Sequence, residues 1–216
     1  METQVGESMR LLERPIAAAK LVGGRLCLDF VNTVSGRLPS GSAVEDRLAE
    51  YTDLAAWALR AGLETGPAAL KLVNEATHDP AAAAKIFERA IALREACYRL
   101  ITGAIHQRPP ASADVAIVNR EWSEALKHRT LGIGQPYLQF QWTGVEHALD
   151  KTLWAVTESA AQLLGSEAAA LVRECGGENC GWLFEDLSRN RSRQWCDMQM
   201  CGNLAKVRRF RERKRS

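Results

Sequence analysis

No stretch of the 216 residues approaches the roughly 18 consecutive apolar residues that a membrane span requires. Low-complexity segments and internal repeats are also missing, which excludes repeat architectures. The signatures of common enzymes are absent too. There is no HExxH, no phosphate-binding loop and no GxSxG, and Gly132-Ile133-Gly134 lacks the third glycine of a dinucleotide fingerprint. The four histidines, His78, His106, His128 and His147, are scattered, and each reads as a surface or satisfied side chain. The chain does not read as an enzyme. Met1 to Arg14 carries both signs of charge and has no apolar core of the signal-peptide kind, which points to the cytoplasm, where cysteines stay reduced.

What is present is an ordinary globular composition, 46% hydrophobic and 25% charged, in a chain long enough to bury a real core. The net charge of +2 conceals an asymmetry. From Arg173 to Ser216, eleven Lys/Arg stand against six Asp/Glu, a net +5, and the remainder carries −3. A mildly acidic body with a basic end indicates that only the end meets an anionic partner. Four of the six cysteines fall within residues 175–201, so the composition changes where the charge does. The expected units are a tail over 1–19, a helical body with a small sheet over 20–168, and a cysteine-rich unit over 169–216.

The body reads as mainly helical. Tyr51 to Ala61 sets Leu54, Trp57, Ala58 and Ala61 at helical spacing before Gly62, capped by Thr52, or a longer helix starts at a capping box of Ser42 and Glu45. Pro67 and Pro80 suit first helical positions, with Asp79 as the cap before the second. The longest candidate, Pro80 to Gln107, has an apolar stripe of Ile86, Ala90, Leu93, Cys97, Leu100 and Ala104. Ser112 to Lys127 follows with Val115, Val118, Trp122 and Leu126, and Glu146 to Leu164 with Leu149, Leu153, Val156, Ala160 and Leu163. Gly24 to Val34 reads as strand then turn, and Tyr137 to Trp142 alternates like a half-buried strand. A small sheet packed on several helices is expected, an α+β fold in which helix dominates. Within it, Cys27 and Cys97 read as buried small apolar residues. Asp29 and Asn32 are the polar pair to watch in the body, as turn and cap residues or as the lining of a small-molecule pocket.

The cysteines of the C-terminal unit run Cys175-x4-Cys180-x15-Cys196-x4-Cys201. Two close pairs separated by a hairpin-length insert deliver four sulfurs to one point, the arrangement tetrahedral zinc prefers. The order of knuckle, hairpin and helix is the plan of a treble clef. So small a unit has too little core to stand alone, so one zinc ion would supply folding energy. On a helical wheel Met200, Leu204, Val207 and Phe210 fall on one core-facing arc. Lys206, Arg208, Arg209, Arg213 and Arg215 fall on the other side, and with only Glu212 as acidic relief they suit contact with phosphates.

The run from Ser188 to Met198, Ser188-Arg189-Asn190-Arg191-Ser192-Arg193-Gln194-Trp195-Cys196-Asp197-Met198, followed by Cys201-Gly202-Asn203, resembles the CGNR zinc-finger family. Leu26-Cys27-Leu28-Asp29-Phe30-Val31-Asn32-Thr33, with Asp53-Leu54 before Trp57 and Gly62, resembles the ABATE domain that usually precedes this finger. Members are described as stress-induced transcription regulators. The resemblance implies that Cys175, Cys180, Cys196 and Cys201 are zinc ligands and that the finger binds DNA. One position departs: the arginine that ends the family's name is Leu204 here, which removes a contact if that arginine reaches DNA and is neutral if its stem only packs. The expectation is a zinc-containing DNA-binding transcription regulator whose body senses a signal or dimerises. RNA binding or a protein scaffold is the alternative, and a homodimer and a small-molecule effector are further partner candidates.

Overall fold

The computed structural model describes Leu11, residues 13–37 and residues 45–215. Ser42 lies outside the described residues, as does the side chain of Arg215. The body is a helical bundle. Its helices are α1 (Leu26–Val31), α2 (Tyr51–Arg60), α3 (Gly66–His78), α4 (Pro80–Ile105), α5 (Ser112–Leu126) and α6 (Lys151–Leu164). Three separate antiparallel pairs replace the single small sheet that was expected. They are β1 (Val34–Ser35) with β2 (Glu45–Asp46), β3 (Arg129–Ile133) with β4 (Leu138–Trp142), and β5 (Val172–Glu174) with β6 (Leu183–Glu185). The last helix, α7 (Asn203–Arg215), follows a short turn at Met198–Gly202. No helix among the described residues is long and apolar enough to cross a membrane.

Local chemistry accounts for most boundaries. Pro67 and Pro80 sit in the first turns of α3 and α4, and the Asp79 carboxylate accepts the Ala82 N–H at 2.9 Å. Helix α2 is capped differently from expectation. Glu50 is its N-cap residue, and Asp53 accepts the N–H groups of Ala49 and Glu50 at 2.9 and 3.2 Å. Arg14 fastens the N-terminal segment by pairing with both Asp53 and Glu50. The core gathers Trp57, Phe30, Leu28, Leu54, Leu93, Leu153 and Leu163, all essentially solvent-free, with Phe30 and Trp57 ring to ring at 4.8 Å. Cys27 and Cys97 are buried within it, and burial pushes both thiols up, Cys27 to about 11.

Three expectations about the body are corrected. Leu26–Val31 is a helix, not a strand: Cys27, Leu28, Phe30 and Val31 are all buried, so the segment lies inside the core with almost no polar face. Helix α5 presents a face one residue away from the anticipated stripe. Asp114, Val118, Glu121 and Ala125 are buried, while Val115 and Leu126 are exposed. Paired carboxylates cause the rotation: Arg99 holds Asp114 in a fork at 2.6–3.1 Å, and Arg89 holds Glu121 at 2.7 Å. The last helix of the body begins at Lys151 rather than Glu146, and the Leu149 carbonyl before it accepts the Tyr51 hydroxyl at 2.7 Å.

Candidate metal centre and basic helix

The C-terminal unit starts as a hairpin. β5 and β6 pair from Val172 opposite Glu185 to Glu174 opposite Leu183, and the ladder continues through the Cys175 N–H to the Trp182 carbonyl at 2.8 Å. Cys175 and Cys180 therefore sit at the hairpin's tip. The tip is a Gly-rich knuckle in which Asn179 and Gly181 adopt left-handed backbone, φ +59° and +67°. Gly177 is required by space: a Cβ there would meet the Cys201 Sγ at 3.0 Å and the Cys180 Cβ at 3.2 Å. The second pair arrives from the other side, where the Gly176 N–H donates to the Gln194 carbonyl at 2.9 Å. Between the pairs, Asp186 organises the loop by accepting the N–H groups of Ser188 and Arg193 at 2.9 and 3.0 Å.

All four Sγ atoms lie within 4.8 Å of one another. Cys196 is 3.7 Å from both Cys180 and Cys201. A tetrahedron of zinc–sulfur bonds of about 2.3 Å has edges of about 3.8 Å, so this spacing is that of a metal site, whereas a disulfide would need about 2.05 Å. Backbone N–H groups of Gly177 and Cys196 point at the Cys175 sulfur at 3.4 and 3.2 Å, as suits a thiolate. Hydrogen bonds from Cys180 and Cys196 hold the Cys175 thiol far below its ordinary range, and the same contacts push Cys180 and Cys196 up. Without a cation only part of the set can ionise. A divalent ion at the centre allows all four thiolates, which is the fit that one zinc requires. Cys175, Cys180, Cys196 and Cys201 are positioned to bind one metal ion.

Helix α7 departs from this centre, because Cys201 lies in the turn that leads into it. Asp197 caps that turn, accepting the Gln199 and Met200 N–H groups at 2.6 and 3.2 Å, and Lys20 pairs with the same carboxylate at 2.6 Å. The apolar arc does not face a core. Met200 is 40% exposed, Val207 47%, Phe210 60% and Leu204 70%. The small core around the metal is already filled by Trp182 and Phe184, flanked by Val22 and Trp195; Leu204 and Val207 of the arc line an open groove of about 910 Å³ beside Trp195 instead.

The described basic side chains of α7 are all on the surface, but they are not equivalent. Arg208 is engaged with both Glu178 and Glu212. Lys206, Arg209 and Arg213 make no ion pair among the described residues. Arg211 and Lys214 add two basic groups that the helical wheel did not bring forward, Lys214 lying 4.8 Å over the Phe210 ring.

Asp29 and Asn32 are not side by side in role. Asp29, at the start of α1, accepts the Gly23 N–H at 2.8 Å, and burial pushes its carboxyl up to about 6. Asn32 is buried and acts as a surrogate backbone. Its amide donates to the Leu183 carbonyl and accepts the Leu183 N–H, both at 2.8 Å. Beyond it, the Trp182 indole donates to the Val34 carbonyl at 3.0 Å and the Gly36 N–H to the Cys180 carbonyl at 2.9 Å. Arg25 forks onto Glu185 at 2.8 and 3.0 Å. The segment 20–37 thus clasps the cysteine hairpin, and Val172 and Leu183 are fully buried members of the body's own core. This clasp was invisible in the sequence, since its partners lie about 150 residues apart.

Comparison with known proteins agrees with this architecture. The ABATE family model, described as "Putative stress-induced transcription regulator", matches residues 24–167, and the CGNR zinc finger model matches residues 172–214. No curated protein matches the chain.

Proposed function

The chain belongs to the ABATE family and carries a CGNR zinc finger, and from that premise we propose that it is a DNA-binding transcription regulator. In this reading the metal centre aims α7 at DNA and the helical body senses a signal or pairs two chains. The observation that carries it is the helix itself. Seven of its thirteen residues are Lys or Arg, one is acidic, and it leaves the metal centre exposed along its length. Lys206, Arg209 and Arg213 would grip phosphates, which gives affinity without sequence information. Arg208 would join them only by leaving Glu178 and Glu212, and Arg215 would extend the row. Base reading would fall to side chains bordering the groove, among them Leu204, which has no guanidinium to offer a guanine.

Asp29 and Asn32 are the body's candidate effector group. A ligand that displaced Asn32 from Leu183 would loosen the clasp on the hairpin, and so bear on the direction of α7. The alternative, an RNA-binding role for the same helix, rests on the same charge. Selection of bound fragments from a random DNA pool, with a random RNA pool as control, tests the proposal. Enrichment of a DNA sequence supports it, and enrichment from the RNA pool alone overturns it.

A further inference from the structure

The β3–β4 hairpin is the least protected apolar surface of the body. Its base is fixed: His128 stacks on Trp154 at 3.8 Å, Trp142 lies against Trp154 at 5.9 Å, and Arg129 pairs with Glu158 at 2.9 Å. Beyond that base the arm projects. The register sets Leu131 opposite Phe140 and Ile133 opposite Leu138, so these four share one face, while Thr130, Gly132, Gln139 and Gln141 occupy the other. The alternation expected for Tyr137 to Trp142 is therefore real, but beyond Trp142 the apolar face is open to solvent. Ile133 is 96% exposed, Tyr137 79%, Phe140 66%, Leu138 64% and Leu131 59%.

Edges and faces of this kind are normally blunted with charge. Here residues 130–145 contain no charged side chain, in a chain that is 25% charged. The face's one cation, Arg129, is already spent on Glu158 and on the Phe140 and Trp142 rings. Neither outer edge of the pair is joined by a further strand among the described residues.

We infer that this arm is the surface on which two copies of the chain pair, apolar face to apolar face about a two-fold axis. An isologous contact places a patch against itself, so a charged patch would repel its copy, and an uncharged one is self-complementary. The four exposed side chains of that face amount to roughly 550 Å², close to the low end of the about 600–1,000 Å² that each partner buries in a specific interface. The other exposed apolar arc, on α7, is bordered by Lys and Arg and would repel its own copy. The inference specifies the pairing role proposed above for the body, and it is independent of DNA contact.

Sedimentation equilibrium of the full zinc-loaded chain at tens of micromolar, without DNA, tests it. The wild type is expected at twice the 23.8 kDa chain mass. Ile133→Asp with Leu138→Asp should give the single-chain mass, with the dissociation constant raised at least 100-fold and zinc content and circular dichroism unchanged. Ile133→Asp alone should weaken pairing, and at 96% exposure its side chain is not needed for folding. Val207→Ser with Phe210→Ser should remain paired. A single-chain mass for the wild type, pairing that survives the double aspartate variant, or pairing lost only in the α7 variant would each overturn the inference. So would a single-chain wild type that binds lipid vesicles through the arm. No DNA is present, so these outcomes are separate from the fate of the DNA-binding reading.

Discussion

Removing Arg209 and Arg213 should make nucleic-acid binding less sensitive to salt by a defined amount. Each phosphate neutralised on B-DNA contributes about −0.9 to the slope of log affinity against log salt. Three to five contacts from α7 give a slope of about −3 to −4.5, a loss of roughly 60- to 500-fold in affinity between 50 and 200 mM salt. Arg209→Ala with Arg213→Ala removes two exposed cations that make no ion pair among the described residues, and should make the slope shallower by up to ~2. Arg208→Ala should change it far less, because that guanidinium already faces Glu178 and Glu212. The assay is fluorescence anisotropy on several unrelated duplexes across a salt series, with zinc content and melting as controls. Both controls should hold, since neither arginine touches the core. An unchanged slope in the double variant would refute the phosphate contact and leave the face merely solvated. A loss confined to one duplex would transfer these residues to base reading, and tighter binding to structured RNA would favour the alternative partner.

The other predictions concern how the metal and the clasp hold the chain. Cys196→Ser, or stripping zinc with a chelator, should lower the melting temperature of the whole chain in one transition, because Val172 and Leu183 belong to the body's core; a body that melts unchanged beside an unfolded C-terminal unit would contradict this. Asn32→Leu should cost about 2–4 kcal/mol, since it strands the buried N–H and C=O of Leu183, and thermal melting should fall by roughly 10 °C. A shift under 2 °C would mean that water or a backbone rearrangement replaces the clasp. Asp29→Asn should stabilise the chain at neutral pH by an amount on the order of 2 kcal/mol. The sign follows from the raised carboxyl: the folded state holds its proton up to about 6, so wild-type stability falls as pH rises from the ordinary carboxylate range through 6. The advantage of asparagine should therefore vanish near pH 4, and equal stability at pH 4 and 7 would refute the argument.

The metal centre was legible because thiol chemistry and local spacing suffice to define it, and folding only had to bring two short knuckles together. The faces of helices were less legible. In α5 the apolar pattern pointed to Val115 and Leu126, yet buried carboxylates won the interior positions. Their partners Arg99 and Arg89 lie on another helix, and nothing in α5 announces them. α1 defeats periodicity for a different reason: with four of its six residues buried, it has no polar stripe against which a period could be read. The arcs of α7 and of β4 were read correctly as apolar, but apolar residues in a row look alike whether they meet a core or solvent. Asn32 was conspicuous as a polar residue in an apolar run, and only the fold supplies Leu183 as its partner.

Two independent holds act on the same hairpin, the metal through Cys175 and Cys180 and the body through Asn32, Val34 and Gly36. The metal would also hold Cys196 and Cys201 at the root of α7, where Lys20 of the body adds a tie through Asp197 at 2.6 Å. The body's hold runs back to α4: buried Arg94 donates to Thr33 at 3.1 Å and to Asp46 at 2.6 and 2.8 Å, and Arg37, which abuts Gly181 in the knuckle, pairs with Glu95. A displacement of α4 or of segment 32–37 therefore cannot leave the knuckle where it is unless buried hydrogen bonds break, at about 1–3 kcal/mol for each group left unpaired. Energies of that size correspond to changes of roughly 5- to 150-fold in affinity, the ordinary range of coupling between two sites. The cysteine hairpin, and with it the root of the basic helix, is thus tied to the helical body by a short set of buried hydrogen bonds.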